Sequence, residues 1–225
     1  MVERATFGAD SADAILFDLD GTLMDTDDQA VERLARRLQR LRWRNPGRAA
    51  RRLVMAAETP GNAFITFLDM LGLDAPLKSL SNRLYAWRGL RARSDFRIMA
   101  GVRDMLSALG ERYELAVVTT RSRKDAEAFL DQYGLRDLFK ALATCESTWR
   151  LKPHPAPVRY AAKQTGVPVD RCLMVGDTTV DVRSARRAGG WAAAVLCGFG
   201  EREELERAGA HVILEHTSQL ASLLR

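Results

Sequence analysis

Cysteine and histidine are scarce in this 225-residue chain, with three of each. Cys145, Cys172 and Cys197 stand far apart, form no Cys-x-x-Cys pair, and have no histidine at metal-ligand spacing. This spacing argues against a zinc site and a disulfide scaffold, and free thiols in a reducing compartment are expected. Long hydrophobic runs are missing too. The longest, near Trp191 to Cys197, is far short of a membrane span. The opening stretch MVERATFGADSADA has no apolar segment of the kind a secretory signal requires. These absences predict a soluble, cytoplasmic protein with no membrane partner.

Apolar residues make up 47% of the chain, enough to bury a core, so wholesale disorder is excluded. The formal charge is +5 and the sequence pI about 9.4. A basic balance admits nucleic acid, an acidic membrane surface or an anionic small molecule as partner. The excess is local. Residues 26–97 hold 15 Lys/Arg and 7 Asp/Glu, a net of +8, and the remainder carries −3. No nucleic-acid motif accompanies the arginines, so nucleic acid is not expected.

Short apolar runs punctuate the chain at Ala14–Phe17, Leu115–Val118, Ala141–Ala143 (weak), Cys172–Val175, Ala192–Leu196 and Val212–Leu214. Continuous apolar runs without alternation are typical of buried strands in a parallel sheet. The intervening segments have helical periodicity. Ala126, Phe129, Leu130 and Tyr133 share one face before Gly134, and Val158, Ala161 and Ala162 another before Gly166. The rhythm predicts a doubly wound α/β fold with a mostly parallel sheet. Residues 26–97 break it. Val31, Leu34, Ala35, Leu38 and Leu41 fall at helical spacing, Asn45-Pro46 and Thr59-Pro60 read as helix starts, and Pro76 to Arg91 is amphipathic. The expected division is a core of 1–25 and 98–225 with an all-helical insertion, 26–97.

Chemistry concentrates at the ends of the predicted strands. The first runs into Asp18-Leu19-Asp20-Gly21-Thr22. Two close carboxylates are costly unless a cation joins them or one takes a proton, and either outcome is useful: an ionised Asp is a nucleophile or metal ligand, a protonated one a general acid. The second strand ends in Thr119-Thr120-Arg121-Ser122, where a hydroxyl and free N–H groups before a helix suit phosphate. Lys152 lies in the proline-rich Leu151-Lys152-Pro153-His154-Pro155, poised to reach an anion at the strand ends. His154 is read as a loop histidine without a role. The strand at Cys172 leads into Gly176-Asp177-Thr178-Thr179-Val180-Asp181, whose two carboxylates are expected one helical turn apart. Oxygen-only ligands suit a hard cation such as Mg2+.

Taken in order, an acid pair, a hydroxyl, a lysine and a second acid pair resemble the four motifs of the haloacid dehalogenase-like (HAD) hydrolase superfamily. The later Ala188-Gly189-Gly190, Gly198-Phe199-Gly200 and Ala208-Gly209-Ala210 resemble its phosphoglycolate phosphatase-like branch. Thr120 and Ala100 depart from that branch, where Asn and Pro are frequent; neither change removes a charged group. The resemblance implies a Rossmann-like core, a helical cap at 26–97, and Mg2+-dependent hydrolysis of a small phosphorylated metabolite. Asp18 would be the nucleophile and Asp20 the acid and base. Thr119, Thr120 and Lys152 would hold the phosphoryl group. The metal would be held by Asp18, the main-chain carbonyl of Asp20, Asp177 and Asp181, the last directly or through water. Asp20 also favours phosphate transfer over dehalogenation, because dehalogenase relatives lack that second acid. Arg33, Arg37 and Arg91 are candidate substrate contacts on charge alone. The alternatives are a sugar phosphomutase or other phosphotransferase on the same core, or a non-catalytic binding or regulatory protein. A dinucleotide fold fails, since Glu203 stands where a third glycine is required.

Overall fold

The computed structural model describes residues 7–25, 39 and 96–224. The chain divides into two compact units, Met1–Thr26 with Phe96–Arg225, and Asp27–Asp95. The sheet and its helices belong to the first. The helices read in 26–97 and the candidate contacts Arg33, Arg37 and Arg91 lie outside the described residues.

All six runs are strands: β1 (Ala14–Phe17), β4 (Glu114–Val118), β5 (Phe139–Ala143), β6 (Cys172–Gly176), β7 (Trp191–Val195) and β8 (Val212–Leu214). They form one parallel sheet in the order β5-β4-β1-β6-β7-β8. Two further strands, β2 (Met24–Asp25) and β3 (Arg97–Ile98), pair antiparallel outside it. At two residues each they are too short to give a periodic signal, so the sequence reading missed them. The six-stranded order is that of the doubly wound fold, with the order of strand addition reversing between β1 and β6.

Side-chain alternation sends each strand's residues into two cores. Ile15, Phe17, Leu115, Val117, Leu173 and Val175 face one side, against Val102, Leu106 and Leu109 of helix α1 (Val102–Gly110) and Phe129 and Leu130 of helix α2 (Arg123–Gln132). Ala14, Leu16, Ala116, Val118, Cys172 and Met174 face the other. There they meet Val158 and Ala161 of helix α3 (Ala156–Thr165), Val182 and Ala185 of helix α4 (Thr179–Ala188), and Leu205 of helix α5 (Arg202–Ala208). Central strands buried on both faces explain why their sequences run apolar without a break. Among the described residues no helix is long and apolar enough to cross a membrane.

Candidate active site

Asp18, Asp20, Thr119, Thr120, Lys152 and Asp177 lie just beyond the carboxyl end of a strand or in the loop that follows, and Asp181 lies in the first turn of α4. Asp18 follows β1, and its N–H donates to the Val175 carbonyl of β6 (2.9 Å), which fixes it at the switch point. Asp177 follows β6. Asp18, Asp177 and Asp181 are all buried, and each offers a carboxylate oxygen within 4.8 Å of the others. Asp177 and Asp181 do not sit one helical turn apart as expected. Asp177 precedes the N-cap Thr178, and Asp181 closes a capping box on it, with Thr178 N–H donating to Asp181 Oδ2 at 3.1 Å and the Thr178 hydroxyl bonding to the same oxygen. A loop residue and a first-turn residue still converge, with carboxylate oxygens within 4.8 Å of each other.

Lys152 enters this cluster from the loop before α3. Its ammonium, 3% exposed, lies 2.8 Å from Asp18 Oδ1 and 2.6 Å from Asp181 Oδ1, and donates to the Val118 carbonyl at 2.9 Å. Three donors thus meet three acceptors. Burial alone would lower the lysine's pKa, but the charges of Asp18 and Asp181 and the bonds to them outweigh burial and raise it. Asp18 is pushed up to about 7, chiefly by burial, with Lys152 opposing and the Asp181 and Asp20 charges adding. Asp177 is pushed well above the carboxylate range by burial and then by Asp181 and Asp18, against the Phe199 N–H and Lys152.

The acid pair of the first motif is divided between two cations. Asp18 takes Lys152, whereas Asp20 takes Arg121 in a two-pronged pair, Nε to Oδ2 at 2.7 Å and a terminal nitrogen to Oδ1 at 2.6 Å. Thr119 is buried, and its Oγ1 accepts the Arg121 N–H at 3.1 Å, leaving its own proton free to donate; Thr120 is half-buried. Ser122, not Thr119, caps α2. His154 serves structure: its Nδ1 accepts the Ala156 N–H at the start of α3 (3.2 Å).

Two contributions escaped the sequence reading. Arg121 has no role on its motif alone, although a cation just beyond a ligand-bearing strand is a readable signal. The loop after β7 was noted only for its glycines. Phe199 N–H donates to Asp177 Oδ2 at 2.7 Å, and a Cβ at Gly198 would collide with the Asp177 carboxylate. So would a Cβ at Gly21, which also holds φ +70°. Asp177 is wedged between two glycines that only a missing side chain permits.

Among the described residues, two buried side-chain polar atoms lack a partner, Thr22 Oγ1 and Asp177 Oδ1. An orphaned carboxylate oxygen costs folding energy unless something fills its place. Three carboxylates facing one ammonium leave a negative excess, so a hard divalent cation fits this cluster by charge and by donor type.

Residues 15–195 match the family described as haloacid dehalogenase-like hydrolase. The chain belongs to that family. Its relatives include the N-acetylmuramic acid 6-phosphate phosphatase of Pseudomonas aeruginosa, 29% identical with 94% of each chain covered. The plasmid phosphoglycolate phosphatase of Cupriavidus necator is 28% identical, over 94% of this chain and 92% of its own. A hydrolase from Pseudomonas syringae superposes with a TM-score of 0.69 at 27% identity, covering 94% of this chain and 97% of its own. Within the HAD family the chain falls in the phosphoglycolate phosphatase-like branch and is a hydrolase of the phosphatase type.

Proposed function

We propose that the chain hydrolyses a small phosphomonoester through an aspartyl-phosphate on Asp18, with Mg2+ as cofactor and 26–97 as a helical cap. The observation that carries this reading is the buried convergence of Asp18, Asp177, Asp181 and Lys152 at the switch point, with Asp177 Oδ1 unpartnered.

A carboxylate oxygen of Asp18 attacks phosphorus, and the bond from phosphorus to the alcohol oxygen breaks. Asp20 gives the leaving oxygen its proton, then takes one from water as that water attacks the aspartyl-phosphate. The Asp18–phosphorus bond breaks, and inorganic phosphate leaves with Asp18 restored. Lys152 and the Thr119 hydroxyl hold phosphoryl oxygens, helped by the backbone at Thr120. Mg2+ would be held by Asp18, the Asp20 carbonyl, Asp177 and Asp181, and when bound it offsets the charge of the phosphoryl group. Both Asp181 oxygens are already engaged, by Lys152 and Thr178, so its chief task is to fix the lysine.

The relatives' names disagree on the ester, which leaves the leaving group open and the phosphoryl chemistry common. The test is phosphate release from phosphoglycolate, N-acetylmuramic acid 6-phosphate and p-nitrophenyl phosphate, with Mg2+ or with EDTA, beside Asp18→Asn. Turnover that needs Mg2+ and Asp18 is expected. No turnover on any ester would overturn the reading, and transfer to a sugar phosphate in place of water would make the chain a mutase.

A further inference from the structure

Arg121 belongs to none of the roles above, yet it occupies the carboxylate on which both proton transfers depend. Its guanidinium spans both oxygens of Asp20, at 2.7 and 2.6 Å, with the two side chains 28% and 26% exposed. Two parallel bonds fix a carboxylate in plane and in rotation, where a single bond or a lysine would leave it free to turn. Arg121 is itself held. Its backbone N–H is bonded to Thr119 Oγ1, and its guanidinium carbon lies 5.9 Å from the centre of the Phe96 ring. Phe96 is anchored in turn, 7% exposed, edge-on to Phe129 at 6.0 Å, with its carbonyl bonded to the Gln132 side chain at 2.8 Å.

We infer that Arg121 is a positioning residue: its guanidinium, bonded to both oxygens of Asp20, aims the carboxylate that carries the proton. The inference rests on the phosphatase reading for the role of Asp20. A residue that acts through orientation changes the rate of the chemical step and leaves ground-state binding alone. Arg121 loses its effect once its partner is disabled, which a double-mutant cycle measures.

The experiment compares wild type, Arg121→Gln, Arg121→Lys, Asp20→Asn and the Arg121→Gln/Asp20→Asn double variant, using p-nitrophenyl phosphate and phosphoglycolate with Mg2+. General acid–base groups contribute about 100- to 10,000-fold, and misalignment forfeits part of that, so Arg121→Gln is expected to lower kcat about 10- to 100-fold with KM within about twofold. Arg121→Lys recovers part of the loss by keeping one bond. In the Asp20→Asn background, Arg121→Gln changes kcat less than about twofold. The loss is larger on phosphoglycolate, whose alkoxide needs a proton, than on p-nitrophenyl phosphate, whose leaving group does not. Equal losses with and without Asp20, or a rise in KM alone, would overturn the inference; the second would make Arg121 a substrate contact. Melting curves of all five proteins identify a variant that has merely lost its fold, and Arg121→Lys then decides. A wild type inactive on both esters would overturn the phosphatase reading and this role together. An active wild type with additive losses would overturn this role alone.

Discussion

Replacing Lys152 by Met tests the electrostatics of the site without any substrate. The ammonium is 3% exposed and is shared by Asp18, Asp181 and the Val118 carbonyl. Met keeps most of the volume and the apolar stem, so the change removes charge and three hydrogen bonds rather than packing. Breaking a buried pair by deleting one partner leaves a buried charge uncompensated and costs about 3–5 kcal/mol. In a chain of this size about 1 kcal/mol moves Tm by roughly 2–4 °C, so a fall of about 6–20 °C is expected. The control is Lys140→Met. Lys140 pairs with Glu114 at 3.0 Å with both side chains nearly half exposed, and such a pair is worth about 1 kcal/mol at most. Thermal unfolding followed by circular dichroism, in EDTA at pH 8, measures both. At pH 5 the difference shrinks, because the carboxylates left behind can take protons. Mg2+ at pH 8 recovers part of it by supplying positive charge to the same oxygens. A Lys152→Met loss no larger than that of Lys140→Met would refute the claim that this lysine neutralises the cluster.

Four further outcomes follow from the same geometry. Asp177→Asn keeps an acceptor for the Phe199 N–H and removes a buried charge, so without metal at pH 8 it is expected to melt no lower than wild type; Mg2+ no longer raises its Tm, and turnover is lost. Asp18 and Asp177 both have folded pKa values above their unfolded ones, so the metal-free folded state binds more protons than the unfolded state and stability falls as pH rises from about 4 toward 7. Cation binding needs those carboxylates ionised, so the Mg2+-induced rise in Tm is larger at pH 8 than at pH 5.5; equal rises would contradict the assignment. Gly198→Ala drives a Cβ into the Asp177 carboxylate, and Mg2+ affinity measured by calorimetry is expected to fall about 10-fold or more with far-UV circular dichroism unchanged.

What the sequence made legible was set by residue type. A buried parallel strand must be apolar on both faces, so the central strands were readable from that requirement, whereas the edge strands β5 and β8, less fully buried, gave shorter signals. The carboxylates and the lysine were readable because together, in order along the chain, they resemble the motifs of a known family; singly, each reads as well as a helix cap or a solvated charge. The parts that stayed hidden use groups every residue carries, or depend on distant parts of the chain. The Phe199 N–H that fixes Asp177 is a backbone donor, invisible to any reading of side chains. The pairing of Arg121 with Asp20 spans 101 residues, and only the parallel pairing of β1 with β4 brings the two loops together. Spacing also misled where it assumed a helix. Asp177 and Asp181 are four residues apart, but one lies before the N-cap, so they meet through a turn.

The charge of the chain takes on a different meaning once the site is placed. Its basic excess lies in 26–97, while the rest carries −3 and holds the motif residues. Within the cluster Asp18, Asp177 and Asp181 face one ammonium, and an arriving phosphate dianion would add to the negative side. A site of this sign does not attract its own substrate. The raised pKa values of Asp18 and Asp177 express the same imbalance, since the protein alone reduces it only by taking up protons. A divalent cation relieves it without protonating the nucleophile, so metal binding and phosphate binding must be coupled with positive sign. The buried lysine and a bound cation are screened little by salt, so this coupling persists as ionic strength rises.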